Sequence, residues 1–471
     1  MIWDFKKFSQ NVALIENISD TSELKSLSYD ELFTFGQILY EQINKRTLTI
    51  ILASNSFGSI IGYTSFVNHG VVPLMLSADI SINNFKSFLY TYKPEFVWAP
   101  KNGMSNDFGT TIYESHGYEL LKTSFSAPSL HSELALLMTT SGSLGDSKLV
   151  RQSYKNILSN TSSITEFLNI DEHERAITTL PMNYTYGLSI INTHLFGGAS
   201  IVLTNATIMQ REFWELLDRT QASSFGGVPY TYEMLDKLRF TNKNLPYLKT
   251  ITQAGGKLSL ELHEKFATYA KNTRKNFVVM YGQAEATARI SYLPPQKALE
   301  KIGSIGVAIP KGKLGLIDDY GVKITKPKQT GELVYKGENV AMGYASTIRD
   351  LANGYELGEW LDTGDIAMVD EQGYYFVVGR KKRFIKLYGN RIGLDECERA
   401  IKSTFGDIDV ACVGEDEKMN VFITKKDLCT EIKNFLGHKT GINQKGFNIK
   451  FIDQIPRNTA GKILYAELRH D

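Results

Sequence analysis

Short apolar runs alternate with stretches of helical spacing along most of the chain, and that alternation limits the fold more than any other feature. Leu48–Ala53 is apolar and strand-length, a helix-like stretch covers 58–68, and Val71–Leu74 is again apolar. Residues 85–92 and then Phe96–Ala99 continue the series. It resumes at Ile201-Val202-Leu203, with helix-like residues 210–219, residues 249–253, helix-like residues 260–269, and a strand over 277–281. Strands separated by helices are joined most simply as parallel neighbours, which predicts an α/β fold. After about residue 300 the texture changes to short strands set off by glycine, at Gly331–Tyr335 and Gly373–Val378, and a β-rich subdomain is expected there. A helix over 394–405 and strands near Val410 and Val421 predict a small C-terminal α+β domain. The expected division is a large N-terminal domain over 1–382 and a small domain over 383–471.

The apolar run Ala135-Leu136-Leu137-Met138 reads as a buried strand, and the ten residues after it, Thr139 to Lys148, read TTSGSLGDSK. Gly142 and Gly145 permit backbone conformations in which successive N–H groups converge, Thr140, Ser141 and Ser143 add hydroxyl donors, and Lys148 adds a positive charge. Such a loop suits phosphate, each charge-assisted bond contributing about 1.5–3 kcal/mol. A Walker loop is excluded, because counting from Gly142 puts Ser147 where the second glycine belongs and Leu149 where a hydroxyl belongs. Taken alone, the stretch is equally compatible with a flexible surface loop.

Composition excludes several functions. Formal net charge is +1 with acidic and basic residues interleaved, and Arg380-Lys381-Lys382-Arg383 is the single dense basic cluster, so no nucleic-acid partner is expected. Cys397, Cys412 and Cys429 lack metal-ligand spacing and read as reduced, structural thiols, with neither disulfide nor zinc expected. The chain opens without a signal-peptide pattern and has no run of about 18 apolar residues, so a cytoplasmic protein without a membrane span is expected.

The phosphate loop occurs with four further segments in a fixed order. They are Tyr281-Gly282-Gln283-Ala284-Glu285-Ala286-Thr287, Trp360-Leu361-Asp362-Thr363-Gly364-Asp365, Gly379-Arg380 through Ile392, and Pro456-Arg457-Asn458-Thr459-Ala460-Gly461-Lys462. Together they resemble the adenylate-forming superfamily of acyl-CoA synthetases, aryl-CoA ligases, peptide-synthetase adenylation domains and luciferases. The resemblance covers roughly residues 130 to 471, and the earlier residues carry no motif of this kind. It implies ATP-dependent activation of a carboxylic acid to an acyl-adenylate with release of pyrophosphate. Transfer to a thiol, of coenzyme A or of phosphopantetheine on an acyl carrier protein, then forms a thioester. It also implies a mobile small domain hinged at Lys382.

The same resemblance assigns roles. Thr140, Ser141, Gly142, Ser143, Gly145 and Lys148 would hold the phosphates. Tyr281 would stack on adenine, with Gly282 and Gln283 after it and the backbone of Gly255 and Gly256 opposite. Glu285, with Thr140, would bind magnesium, Asp365 would accept hydrogen bonds from the ribose hydroxyls, and Arg380 would reach the ribose or a phosphate. Lys462 would bridge the substrate carboxylate and the α-phosphate. Lys386 and Gly389 would help form a thiol tunnel after the small domain rotates. Read without these neighbours, Tyr281 is as well a core aromatic, Asp365 a turn former, and Arg380 and Lys462 solvated charges.

The acid pocket is expected near Tyr184, Gly226, Gly227, Val228 and Gly255. Relatives that make acyl- or aryl-CoA often have histidine where this chain has Tyr184, and amino-acid-activating relatives place an aspartate in this segment. No carboxylate occurs between Pro181 and Phe196, so a substrate ammonium would lack its partner and an amine-free acid is favoured. In the phosphate loop Leu144 stands where the family favours threonine and Ser147 where it favours proline, so one phosphate hydroxyl is missing. An amino-acid-activating carrier-protein ligase, a luciferase-type oxygenase and a non-catalytic nucleotide-binding regulator remain the alternative readings. Retention of Glu285, Asp365, Arg380 and Lys462 speaks for an enzyme.

Overall fold

The structure is a computed structural model and describes every residue except 1, 18–22, 102, 104–106, 140–147, 382, 389, 407, 416–417, 459–460 and 469–471. Its contacts divide the chain into two compact units, residues 1–313 with 335–361, and residues 314–334 with 362–471. Part of the β-rich stretch, residues 314–334 and 362–382, thus groups with the C-terminal residues.

The first unit is α/β and holds two large sheets. In the eight-stranded sheet, Leu48–Ala53 lies between Val72–Ser77 and Phe96–Pro100, parallel to both, and Leu134–Thr139 continues the parallel set. Leu149–Ser153 then turns back antiparallel and pairs with Gly343–Ala345. Alternation along one strand shows why Leu48–Ala53 reads as uniformly apolar. Ile51 and Ala53 pack into one apolar cluster, and Leu48, Ile50 and Leu52 pack into another on the opposite face.

The nine-stranded sheet carries the parallel series Asn276–Tyr281, Thr250–Gln253, Ser224–Gly227, Arg175–Ile177, Ser200–Leu203 and Val12–Asn17. The helices Phe57–His69 and Thr185–Gly197 supply residues to the same apolar cluster as strands of both sheets, Ile51 and Met138 from one and Leu14 and Ile201 from the other. Phe57 through Val67 are all buried, as expected for a helix covered on every side rather than along one stripe.

The second unit holds a five-stranded sheet, with Leu361–Val369 paired antiparallel to Tyr375–Arg380, and then a small α+β body. In that body the helices Leu394–Phe405 and Cys429–Thr440 supply Ile401, Ile432 and Leu436 to a core shared with Val410, Cys412 and Val421 of a three-stranded sheet. Ala411, Val413 and Phe422 face the other way, against Ile455, Ile463 and Leu468. Burial pushes the Cys397 thiol up to about 12, so it stays protonated inside this core.

Candidate active site

Three adjacent parallel strands, Ser224–Gly227, Thr250–Gln253 and Asn276–Tyr281, end on the same side of their sheet. The segments that leave those ends are 226–228, 254–256 and 281–283, which hold most of the residues expected around adenine and the acid. Ligands of parallel sheets sit beyond the carboxyl ends of the strands, where connections diverge and free backbone groups point outward.

Local backbone geometry explains the glycines at two of these positions. Gly255 has φ +84°, and a methyl there would stand 2.6 Å from the Tyr184 hydroxyl and 3.1 Å from Val228 Cγ1. At Gly282 a methyl would stand 1.8 Å from the carbonyl oxygen of Ala288. The chain therefore folds tightly back after Tyr281, and the Ile290 N–H donates to the Tyr281 carbonyl at 2.9 Å. Buried Gln253 ties down the neighbouring loop, its Nε2 donating to the Gly256 carbonyl at 2.9 Å.

Glu285 sits on the short 3-10 turn Ala284–Ala286. Asn339 Nδ2 donates to the carbonyls of Ala286 and Arg289, each at 2.9 Å, and the Thr287 hydroxyl donates to the Asn339 carbonyl at 2.8 Å. Tyr335 orients that asparagine by donating to its Oδ1 at 2.7 Å. Glu285 Oε1 accepts the Tyr344 hydroxyl proton at 2.9 Å, and Lys148 Nζ lies 3.5 Å from the centroid of the Tyr344 ring. Burial first, and then the Glu285 charge, push the Tyr344 hydroxyl above its ordinary pKa, which keeps it a donor. Strand pairing sets up this grouping, because Tyr344 lies opposite Val150 and Ala345 opposite Leu149, beside Lys148.

Thr140, Ser141, Gly142, Ser143 and Gly145, together with Leu144 and Ser147, lie outside the described residues, as do Lys382 and Gly389. Tyr344, Asn339 and Gln253 were not singled out from the sequence, since only their long-range partners distinguish them.

The expected acid pocket is distributed unevenly. Tyr184, Val228 and Gly255 crowd one another, as above. Gly226 lines a small cavity, and a methyl on it would meet the Tyr186 hydroxyl at 2.8 Å. Gly227 points the other way, where a methyl would meet Thr231 and Tyr232, because neighbouring residues of a strand face opposite sides. Ile164, Leu168, Ile190 and Met280 give the cavity apolar walls, and Arg289 enters it as a buried cation. Burial raises the Tyr184 hydroxyl to about 12, partly offset by Arg289, and lowers the His194 imidazole.

In the second unit, Asp365 and Arg380 face each other across strands Leu361–Val369 and Tyr375–Arg380, with Arg380 Nε 3.3 Å from Asp365 Oδ1. Asp365 is therefore a buried strand residue rather than a turn former. The turn-like spelling Asp362-Thr363-Gly364 comes from Gly364 at φ +70°, whose N–H donates to Asp362 Oδ1 at 2.8 Å. Lys386 lies on strand Phe384–Leu387, in register with Arg391. The segment bearing Lys462 is braced locally. Arg457 Nη2 contacts both oxygens of Asp409 at 2.7 and 2.9 Å, Arg457 Nη1 donates to the Gly461 carbonyl at 3.0 Å, and the Lys462 N–H donates to Asn458 Oδ1 at 2.9 Å.

The family model described as AMP-binding enzyme matches residues 5–345. The chain belongs to that family. The match takes in the first 130 residues, where no motif marked it. Among AMP-binding relatives, a long-chain-fatty-acid–CoA ligase of Salmonella typhimurium is 28% identical over 469 residues, covering 94% of this chain and 80% of the relative. Peroxisomal OPC-8:0-CoA ligase 1 of Arabidopsis thaliana is 28% identical over 351 residues, covering 71% of this chain; the aligned part spans 64% of that relative's length. The fold is that of O-succinylbenzoate coenzyme A synthetase from Bacillus subtilis in complex with AMP, at TM-score 0.79 and 22% identity, covering 99% of this chain and 97% of the other.

Proposed function

We propose that this AMP-binding enzyme is an acid–thiol ligase that activates a carboxylic acid with ATP and passes the acyl group to coenzyme A or to a phosphopantetheine thiol. In the first step a carboxylate oxygen attacks the α-phosphorus, the bond to the bridging oxygen breaks, and pyrophosphate leaves. In the second the thiol sulfur attacks the acyl carbonyl, its proton passes to solvent, and AMP leaves. The observation that carries the reading is the meeting of Lys148 and Glu285 on Tyr344, which puts a cation and a carboxylate from distant segments of the chain side by side.

In this reading Lys148 pairs with phosphate. Glu285 suits a hard cation, since an ionised carboxylate has about four acceptor sites and Tyr344 takes one of them. No group of three or more His, Cys, Asp or Glu side chains able to hold a metal occurs among the described residues. Magnesium, when bound, neutralises triphosphate charge. Tyr281 supplies a face for adenine, Asp365 accepts from the ribose, Arg380 adds positive charge, and Lys462 balances charge at the α-phosphate as the carboxylate attacks. Lys382 serves as the hinge between the half-reactions, and Lys386 and Gly389 border the thiol path.

Among the described residues, no helix is long and apolar enough to cross a membrane. A reducing setting such as the cytoplasm belongs to this reading, from the spacing of Cys397, Cys412 and Cys429 in the sequence.

Pyrophosphate release with ATP and magnesium over a panel of carboxylic acids tests the first step, and later addition of coenzyme A or a loaded carrier protein tests the second. Release that depends on the acid and falls sharply in Lys462→Ala is expected. Release from no acid, or release indifferent to that substitution, overturns the reading.

A further inference from the structure

Arg289 is 3% exposed and lines the cavity that contains Gly226, yet no carboxylate pairs with it among the described residues. Its guanidinium carbon lies 4.0 Å from the centroid of the Tyr186 ring. Its Nε points at the Met280 sulfur at 3.4 Å, a weak acceptor. Glu174, the carboxylate on the cavity wall, is taken up by Lys249 at 2.8 Å and by the Ser223 hydroxyl. A guanidinium stays charged in proteins, and a buried cation without a counter-charge is strongly disfavoured unless something supplies the negative partner.

The backbone here is rigid, which favours a preformed site. The Arg289 N–H donates to Asn160 Oδ1 at 3.1 Å, and its carbonyl accepts from Asn160 Nδ2 and Asn339 Nδ2, each at 2.9 Å. Two hydroxyls, of Tyr186 and Thr252, line the same cavity and are hydrogen-bonded to each other at 2.7 Å. Ile164, Leu168, Ile190 and Met280 give part of the wall an apolar character, while Ser189, Thr193 and His194 also line it.

We propose that Arg289 binds a second carboxylate of the acid substrate, so that the enzyme prefers acids with two carboxylates joined by an apolar spacer over plain fatty or aryl acids. This rests on the acid-activating reading for its catalytic consequence, while the binding itself stands apart from it. The planar guanidinium offers paired N–H groups to a carboxylate, and the buried setting strengthens the contact. A monoacid of equal length would leave the cation unpaired and gain little from the polar end of the cavity.

Length-matched pairs test this: hexanoate against adipate, octanoate against suberate, and benzoate against terephthalate. In pyrophosphate release, at least one diacid is expected to exceed its monoacid by about tenfold or more in kcat/KM. Arg289→Gln should remove that preference while leaving the KM for ATP unchanged, and Arg289→Lys should restore part of it. A purely structural arginine would lower the rate with every acid alike.

Thermal shift with each diacid alone gives a readout independent of turnover, with stabilisation of the wild type and none of Arg289→Gln. Diacid binding that depends on Arg289, without pyrophosphate release from any acid, leaves the proposal standing and defeats the activation reading instead. Equal handling of monoacids and diacids by the wild type, with no thermal shift from any diacid, overturns the proposal. Should Arg289→Gln fail to fold, the same comparison with Arg289→Lys decides, since an unaltered diacid preference at a displaced charge would also overturn it.

Discussion

The Tyr344 hydroxyl donates to Glu285 Oε1 at 2.9 Å. Tyr344 also places its ring face under Lys148 Nζ, 3.5 Å from the centroid, so one side chain holds the carboxylate assigned to magnesium and the cation assigned to phosphate. The two functions of Tyr344 are separable, because one uses the hydroxyl and the other the ring.

Tyr344→Phe should keep the platform for Lys148 and free Glu285. A hydrogen bond to a charged group contributes about 1.5–3 kcal/mol, so a loss of about tenfold in kcat/KM for magnesium-ATP is expected, together with a higher magnesium requirement. Tyr344→Leu removes the ring as well and should cost a further few-fold, since an exposed cation–π contact contributes about 0.5–1 kcal/mol. A magnesium titration of pyrophosphate release in both variants measures the two effects. Identical titration curves for wild type and Tyr344→Phe would show that the hydroxyl does not orient the carboxylate.

Strand Gly343–Ala345 owes its position to Arg151, a fully buried side chain whose Nε donates to the Tyr344 carbonyl at 2.9 Å and whose Nη2 pairs with Glu356 at 2.7 Å. Its Nη1 also donates to the Asn353 carbonyl. Arg151→Met strips these carbonyls of their donor and should destabilise the protein by about 3 kcal/mol, read from the urea midpoint. Glu356 is half-exposed, so Glu356→Gln should cost under about 1 kcal/mol. If the two substitutions cost the same, the ion pair rather than the backbone bonds holds the strand.

Stability should fall as pH drops below the usual histidine pKa of about 6.5. Burial lowers the pKa of His263, as it does for His194 and His116. The Gly303 N–H donates to His263 Nδ1 at 3.2 Å, so Nδ1 is the acceptor and the proton sits on Nε2, facing the Ala298 carbonyl at 3.0 Å. On acidification the unfolded chain takes up protons first, which draws the equilibrium toward unfolding from pH 6.5 down to the depressed folded value. Urea unfolding between pH 7.5 and 5 checks the slope, and His263→Gln should flatten it. An unchanged slope in that variant assigns the acid sensitivity to other groups.

What could be read from the sequence was what local spacing encodes. The helix expected over 394–405 is the observed Leu394–Phe405, and the strand expected over 48–53 is the observed Leu48–Ala53. The helix Tyr29–Glu41 went unmarked, although Ser28 and Glu31 spell its capping box and make both bonds, Glu31 N–H to Ser28 Oγ at 3.1 Å and Ser28 N–H to Glu31 Oε2 at 2.7 Å. The pairing of Val12–Asn17 with Ser200–Leu203 joins segments far apart in the chain, and no local pattern announces it. At the candidate site the pattern marked residues that carry charge or need glycine, such as Glu285 and Gly255. It was silent on Tyr344, Asn339 and Arg289, which look like ordinary surface or core residues until folding brings their partners to them.

Lys462 separates the two half-reactions experimentally. Gly461 takes φ +74°, and Arg457 clamps the turn by joining Asp409 to the Gly461 carbonyl, so the lysine leaves a braced segment rather than a loose tail. A single preorganised donor contributes about 2.7–4 kcal/mol to a transition state, so Lys462→Ala should slow pyrophosphate release at least ~100-fold. Thioester formation from supplied acyl-adenylate should stay within a few-fold of wild type, because no negative charge then builds at an α-phosphate under attack. Arg457→Leu removes the clamp but keeps the ammonium, and an intermediate loss of about tenfold in the first step is expected. Rapid-quench measurement of each half-reaction separates these outcomes. Equal slowing of both steps by Lys462→Ala would mean that the residue holds the fold or the nucleotide rather than the attacking carboxylate.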